Sequence, residues 1–430
     1  MNIGKLIGAQ QLEGVLFDGE WISAVEITNV VEPATGTTLG RLGSADPSVV
    51  RKKAAAARDN QLDWARRSAD DRAGILRRAA EAAELHSETI IEWLVREAGS
   101  TRTKAGFELA VTIKALRLAG AMPHEAQGLV LPSEAGTLSL ARRKPLGVVG
   151  VIAPFNFPLY LAMRAVAPAL AVGNAVILKP DPRTGICGGF VIARLFELAG
   201  LPAGVLPVLP GGGDAGEALC SDPNVAMIQF TGSTNAGRSV GRTASEHLKK
   251  VSLELGGKNA LIICEDADLD LAVRNAAWGT FLHQGQICMA AGRVLVHATL
   301  IDAFAQKLAE HAEALLVGNP VSAEVAVGPI INQRQLDHAL SIIKQSVNSG
   351  AVLLSGGTAD GLFLKPAVLS RVDRTMAAYD TEIFAPVAVL IPFNNDDEAV
   401  KLANDTEYGL SLGIITNDVA RGLSLGERVN

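Results

Sequence analysis

The chain has 430 residues, 48% of them apolar, with 43 glycines, 19 prolines and a formal net charge of −6. That length exceeds one ordinary core, so two or three domains are expected, and the composition is that of a globular α/β enzyme, not of a disordered or fibrous chain. The mild acidity excludes the basic surface that nucleic-acid binding requires.

The start, Met1-Asn2-Ile3-Gly4-Lys5, leads into polar residues and carries no apolar signal-peptide stretch. Residues 46–120 read as helices. Asp46-Pro47 is a start signal, cap followed by first-turn proline, and Val49–Ala65, Asp70–His86, Glu88–Glu97 and Lys104–Leu118 are amphipathic. Ser87 reads as a cap for the third. Leu129–Leu131 and Thr137–Leu140 then read as a hairpin around Pro132–Gly136, either an arm that docks on another subunit or a local sheet edge. Pro145 to Met163 carries no charge and is long enough to resemble a membrane span. Pro154, Asn156 and Pro158 would break such a helix and Arg164 follows at once, so the window reads as a buried strand, a loop and a helix start.

From Gly147 short apolar runs alternate with helical segments. Val148–Ile152, Ala175–Leu178, Val205–Leu209 and Met227–Phe230 read as strands, and Leu159–Ala171, Thr184–Leu198, Asp214–Cys220 and Ala236–Leu248 as helices. This pattern indicates a parallel sheet covered on both faces, with ligands at the carboxyl ends of the strands. A second α/β unit begins near Gly256. Its predicted strands are Ala260–Ile263, Val294–Val296, Val352–Leu354, Val387–Ile391 and Leu412–Ile415. Its predicted helices are Leu269–Leu282, Leu300–Leu315, Gln333–Asn348 and Asp396–Ala403.

The four cysteines, Cys187, Cys220, Cys264 and Cys288, form no Cys-x-x-Cys pair. They predict a reducing compartment, the cytoplasm, with neither a zinc site nor a disulfide framework. Cys288 lies in Gly285-Gln286-Ile287-Cys288, 34 residues after Glu254 of Leu253-Glu254-Leu255-Gly256-Gly257. A thiol is a good nucleophile only as thiolate, and a carboxyl at a strand end followed by two glycines can stand exposed in a cleft. The other three cysteines sit in apolar contexts and read as inert core thiols. His283, five residues before Cys288, raises a Cys–His hydrolase reading, although it falls in a helix-like segment, Trp278–Gln284.

Two strand–glycine–helix junctions point to a nucleotide. Gly211-Gly212-Gly213-Asp214-Ala215-Gly216 fits the dinucleotide fingerprint, but no acidic residue ends the next strand. Phe230-Thr231-Gly232-Ser233-Thr234-Asn235-Ala236-Gly237 is the second, equally readable as a plain helix cap. Asn156, between Pro154 and Pro158, is a rigid amide donor suited to a developing oxyanion, or an asparagine bonding its own turn. Lys179 could reach a sugar or phosphate or be a solvated loop lysine. Glu382 of Thr381-Glu382-Ile383-Phe384-Ala385-Pro386 is an acid before an apolar strand, or a cap.

Together these motifs, in order and with matching spacing from about Val31 to the last residue, resemble the aldehyde dehydrogenase superfamily. The resemblance implies a Rossmann-like coenzyme domain (1–120 and 146–254), a β-hairpin oligomerisation arm (121–145) and a second α/β catalytic domain (255–430). It implies Cys288 as nucleophile, Asn156 as oxyanion donor and Glu254 as the base that activates water. Gly232, Ser233 and Gly237 would hold the dinucleotide phosphates, in place of the Gly211 fingerprint. Lys179 and Glu382 would hold the two riboses, with Pro182, Gly213, Leu255 and Phe384 also on the coenzyme. Glu254 favours hydrolysis to a free acid over transfer to coenzyme A. Lys179–Thr184 and Leu282–Met289 resemble the benzaldehyde and vanillin dehydrogenase branch, which implies an aromatic aldehyde.

Pro182 stands where many NAD-specific relatives carry a ribose-binding glutamate, with Asp181 as a partial substitute, so NAD or NADP is expected, NAD favoured. Relatives usually continue for several dozen residues beyond Asn430, so a fragment or a naturally short chain is expected. A homodimer or homotetramer is implied if the C-terminus is complete, with no membrane, nucleic acid or metal. The alternatives are a cysteine-dependent ester hydrolase, a reductase of the same fold that uses NADPH on an acyl phosphate, against which Glu254 counts, and a truncated, non-catalytic nucleotide-binding protein.

Overall fold

The computed structural model describes residues 6–430; the reading of Met1–Lys5 lies outside the described residues. The chain divides into two compact units. The first comprises residues up to Glu32, Thr37–Ala98 and Arg102–Glu254, and the second Pro33–Gly36, Gly99–Thr101 and Leu255–Asn430.

The first unit opens with four short strands, β1 (Val15–Phe17), β2 (Trp21–Ser23), β3 (Glu26–Val31) and β4 (Thr38–Ser44), paired as two antiparallel ribbons. Helices α1 (Pro47–Arg66), α2 (Ala69–Leu85), α3 (Ser87–Ala98) and α4 (Arg102–Ala119) follow. Asp46 caps α1 by accepting from the Ser48 and Val49 amides at 2.7 and 2.9 Å. Ser87, predicted as a cap, is the first residue of α3. Strands β5 (Gly128–Leu131) and β6 (Ser139–Arg142) form the antiparallel hairpin, with Leu129, Val130 and Leu138 more than two-thirds exposed (68%, 75% and 73%).

The remaining elements are β7 (Val148–Ile152), α5 (Pro158–Ala171), β8 (Ala175–Lys179), α6 (Val191–Leu198), α7 (Gly213–Ser221), β9 (Val225–Thr231), α8 (Thr234–Glu246) and β10 (Lys250–Glu254). The uncharged window from Pro145 thus splits into β7 and the start of α5. No helix among the described residues is long and apolar enough to cross a membrane. The sheet is parallel in the order β10-β9-β7-β8.

Two expectations for this unit change. Val205–Leu209 runs beside β8, with Val176 donating to Val205 O and Leu209 to Leu178 O, but Pro207 removes a ladder donor and no regular strand forms. The predicted helix Thr184–Leu198 is a 3₁₀ turn (Pro182–Thr184), a π turn (Ile186–Phe190) and then α6. The buried Glu97 carboxylate accepts the Ile186 and Cys187 amides at 2.7 and 2.6 Å, which holds the wider turn in place.

The second unit contains β11 (Ala260–Ile263), α9 (Leu269–Phe281), β12 (Arg293–His297), α10 (Ile301–Ala314), α11 (Gln333–Asn348), β13 (Val352–Ser355), β14 (Ala359–Asp360) and β15 (Phe363–Leu364). It continues with β16 (Ala367–Ser370), α12 (Ala377–Asp380), β17 (Val387–Phe393), α13 (Asp396–Asn404), β18 (Leu412–Ile415) and α14 (Val419–Gly426). Its six-stranded sheet has the order β13-β16-β17-β12-β11-β18, parallel except for β13. Side chains alternate between two cores: Ile262, Leu295 and Val389 face one, while Ile263, Val294 and Leu390 face the other. Burial on both faces is why these strands read as unbroken apolar runs.

Candidate active site

In the first unit, the carboxyl ends of β7 and β8 and the starts of α7 and α8 surround an open cleft of about 490 Å³, lined by Lys179, Gly213, Gly216, Phe230, Ala236 and Val240. Lys179 ends β8, and burial pulls its ammonium below the ordinary lysine range, opposed by Asp181 and Asp214. A Cβ on Gly216 would lie 3.7 Å from Lys179 Cε, so the glycine keeps the lysine stem beside an open floor. Ser233 caps α8 through the Ala236 amide at 3.4 Å, and the Gly237 amide donates to Ser233 O at 2.9 Å. Gly232 donates to Glu254 O at 3.0 Å, tying the end of β9 to the end of β10. Two helix starts, glycine floors and a lysine around one cleft fit a dinucleotide: free amides and positive helix ends favour phosphate, and the apolar walls suit a base.

Pro182 opens the 3₁₀ turn after β8. Asp181, expected to stand in for a ribose-binding glutamate, is instead committed to Arg183: it accepts from the Arg183 amide, Nε and Nη2 at 2.9, 2.8 and 2.6 Å. The Arg183 guanidinium also lies 4.2 Å from the Phe155 ring centroid.

Asn156 is buried in the loop between β7 and α5. A fully buried ion pair on α4 grips this loop. Lys104 Nζ donates to Glu108 Oε2 at 2.6 Å and to Asn156 O at 2.7 Å. Glu108 Oε1 accepts the Leu159 and Tyr160 amides at 2.9 and 3.2 Å, capping α5 from outside. The Lys104 ammonium stands 4.1 Å from the Phe157 ring centroid. Sequence reasoning missed this pair. Its signal was there: positions 104, 108 and 112 fall in phase with the buried Ala105, Leu109 and Leu116 of α4.

Glu254 ends β10, an edge strand. Its carboxylate pairs with Arg164 Nη2 of α5 at 3.1 Å, with about a third of each side chain exposed (34% and 38%).

In the second unit, Cys288 occupies a turn after α9 and is half-buried. The expected helix Trp278–Gln284 ends at Phe281, because His283, Gln284 and Gly285 are left-handed with φ of 48°, 57° and 64°. A Cβ at Gly285 would meet Ala385 O at 2.3 Å. Buried amides hold the turn. Gln284 Nε2 donates to Gly99 O and Pro329 O at 2.7 and 2.9 Å, and Gln286 Oε1 accepts the Ile331 amide at 3.0 Å. Asn259 Nδ2 donates to the carbonyls of Cys288 and Ala290, both at 2.8 Å.

The paired glycines have separate geometric reasons. A Cβ on Gly256 would lie 2.2 Å from the Glu382 carboxylate, and one on Gly257 would lie 2.5 Å from Cys288 O. Glu382 Oε1 accepts the Gly257 amide at 3.0 Å. Glycine thus brings Glu382, Leu255-Gly256-Gly257 and the Cys288 turn together within this unit. Burial raises the Glu382 carboxyl, with the Gly257 amide and Lys258 pulling it back. Phe384 is left-handed at φ 52°, and Gln335 Nε2 holds its carbonyl at 3.1 Å. Lys258 is fully buried; its Nζ has no hydrogen-bond partner among the described residues, and burial followed by Arg293 brings its pKa down to about 7.

The other thiols are inert. Cys187, Cys220 and Cys264 are buried, and burial pushes Cys220 and Cys264 up to about 11 and raises Cys187 well above the ordinary thiol range. His283 is also buried, in the left-handed stretch.

The chain as a whole is similar to known proteins. The family model described as aldehyde dehydrogenase family matches residues 21–430. The chain is 53% identical over 417 residues to a vanillin dehydrogenase of Amycolatopsis sp. (strain ATCC 39116 / 75iv2), covering 97% of this chain and 86% of that protein. It is 45% identical over 419 residues to a benzaldehyde dehydrogenase [NAD(+)] of Pseudomonas putida, with the same two shares, 97% and 86%. Among solved structures, an NAD-dependent benzaldehyde dehydrogenase from Corynebacterium glutamicum superposes with a TM-score of 0.92 at 37% identity, covering 97% of this chain and 92% of that one. The chain belongs to the aldehyde dehydrogenase family.

Proposed function

We propose that this chain oxidises an aromatic aldehyde, of the benzaldehyde or vanillin kind, to the carboxylic acid with NAD as coenzyme. The observation that carries the reading is Cys288, a half-buried thiol on a backbone held by glycine, asparagine and two buried glutamines, in a chain of this family. The names of the relatives, vanillin and benzaldehyde dehydrogenase, support the aromatic substrate and the coenzyme.

In this reading the Cys288 sulfur adds to the aldehyde carbonyl carbon. The Asn156 side-chain amide and the Cys288 backbone N–H donate to the resulting oxyanion, and such a donor lowers the barrier by about 3–4 kcal/mol. A bound NAD would supply the hydride acceptor that this oxidation needs. Cys288 then carries a thioester, and Glu254 takes a proton from the water that cleaves it. Lys179 and the Gly213 and Gly232–Gly237 helix starts hold the adenosine and phosphates, with Ser233 near the phosphates. Leu255, Glu382 and Phe384 hold the nicotinamide ribose end. Pro182 offers the adenosine ribose no carboxylate, and Asp181 is engaged by Arg183. The expected discrimination between NAD and NADP is therefore modest and is read directly as the ratio of their KM values.

We assign the enzyme to the cytoplasm, on four cysteines that form no disulfide, and to a dimer or tetramer in which the apolar β5–β6 hairpin pairs with a second copy. The test is benzaldehyde with NAD, followed by formation of reduced coenzyme, on wild type and Cys288→Ala. Turnover lost in the variant supports the reading. Ester cleavage without coenzyme and no aldehyde oxidation would replace it with a thiol hydrolase. A much higher kcat/KM for short aliphatic aldehydes would overturn the aromatic assignment.

A further inference from the structure

The family motifs assign no role to Arg164, yet its guanidinium is the group that meets the Glu254 carboxylate, at 3.1 Å. The two ends of this pair are anchored differently from the pair itself. Arg164 lies on α5, two turns after Asn156, on the helix whose first turn Glu108 caps. Around it Ala162, Met163, Val166 and Ala167 are fully buried, so the helix cannot slide. The main chain of Glu254 is fixed by strand pairing with β9 and by the Gly232 amide. Both main chains are thus held, the two side chains are left to move, and the pair with Arg164 sets where the Glu254 carboxylate rests. The pair is one-third exposed, and exposed pairs contribute little to folding stability, so stability does not explain it and release of the carboxylate is easy.

The geometry points to Arg164 as the positioning residue for Glu254, acting on thioester hydrolysis and not on thioester formation. This rests on Glu254 being the water-activating base. In that step a water oxygen bonds to the thioester carbon, its proton passes to Glu254, the carbon–sulfur bond breaks with sulfur leaving as thiolate, and the proton goes from Glu254 to solvent. Between turnovers the carboxylate returns to Arg164. Without the guanidinium the side chain samples more orientations, and hydrolysis slows by about tenfold, less than the roughly hundredfold that a fixed 1 Å misplacement costs, because part of the population still reaches the productive orientation.

The experiment mixes enzyme, NAD and benzaldehyde rapidly and follows both the first turnover of reduced coenzyme and the decay of the benzoyl-enzyme, by intact mass. Arg164→Met is expected to leave the first-turnover rate within about twofold and to slow benzoyl-enzyme decay about tenfold, with Arg164→Lys intermediate. Glu254→Gln is the reference and is expected to accumulate benzoyl-enzyme more strongly. Equal slowing of both phases in Arg164→Met, or unchanged decay while Glu254→Gln accumulates benzoyl-enzyme, overturns the role of Arg164 alone. Unchanged decay in Glu254→Gln overturns the reading of Glu254 as base, and the inference with it.

Discussion

The two units present their functional groups in opposite ways. In the first, Lys179, Glu254 and Ser233 stand at the ends or caps of regular elements, and the sheet itself aims them. In the second, Cys288 stands on an irregular turn held by left-handed residues and buried amides. A dinucleotide needs repeated amide donors and an apolar slot, which strand–helix junctions supply by default. The nucleophile proposed at Cys288 needs one atom in one place, and main-chain geometry that no regular element offers holds that turn.

This contrast can be broken by substitution. The largest effect is expected for Cys288→Ala, with aldehyde oxidation down by about a thousandfold or more while coenzyme binding and thermal midpoint stay within error. Retained turnover would remove the second unit's claim to the chemistry. Lys104→Met leaves Glu108 as an unpaired buried charge and is expected to destabilise by about 3–5 kcal/mol, read as a lower denaturation midpoint. Converting Glu108 to Gln in the same chain should restore much of that loss. Next comes Gly285→Ala, which places a side chain at φ 64° and against Ala385 O. It is expected to destabilise by about 3 kcal/mol and to lower kcat, whereas Gly106→Ala on α4, where no atom lies within 4 Å of a Cβ, should do neither. Equal effects at the two glycines would erase the distinction between regular and irregular presentation.

The smallest effect is a pH dependence at Lys258. Its folded pKa, about 7, lies below the ordinary 10.5, so between those values the unfolded chain binds a proton that the folded one does not. Its destabilising contribution is therefore full below about pH 7 and fades as pH rises toward 10. Lys258→Met should raise the thermal midpoint more at about pH 6 than at about pH 10. A gap that widens with pH would place the charge elsewhere.

Most strands and helices from Gly147 onward and the parallel pairing of the first sheet were legible, because apolar runs alternate with capped helices and the periodicity changes visibly at each junction. The hairpin, too, was signalled by its turn residues. Less legible were the first 44 residues, where β1 to β4 run only three to seven residues and β3 is mostly exposed. The π turn at Ile186–Phe190 was hidden as well, since Glu97, 89 residues upstream, holds it. The turn before Cys288 misled most. Gln284 and Gln286 are fully buried although glutamine is ordinarily exposed, and His283 adopts a left-handed backbone that nothing in its side chain announces. Charged residues on amphipathic helices read as solvated, which is why Lys104 and Glu108 went unseen.

The burial of Cys187, Cys220 and Cys264 has a practical consequence for anyone handling the protein. With three thiols sealed and one accessible, alkylation under native conditions becomes a census. The molar amount of iodoacetamide consumed by a folded preparation should equal the number of intact Cys288 turns in it. Slower uptake, of up to three further equivalents, would report chains whose interior has opened, so one reagent distinguishes competent molecules from unfolding ones before any aldehyde is added.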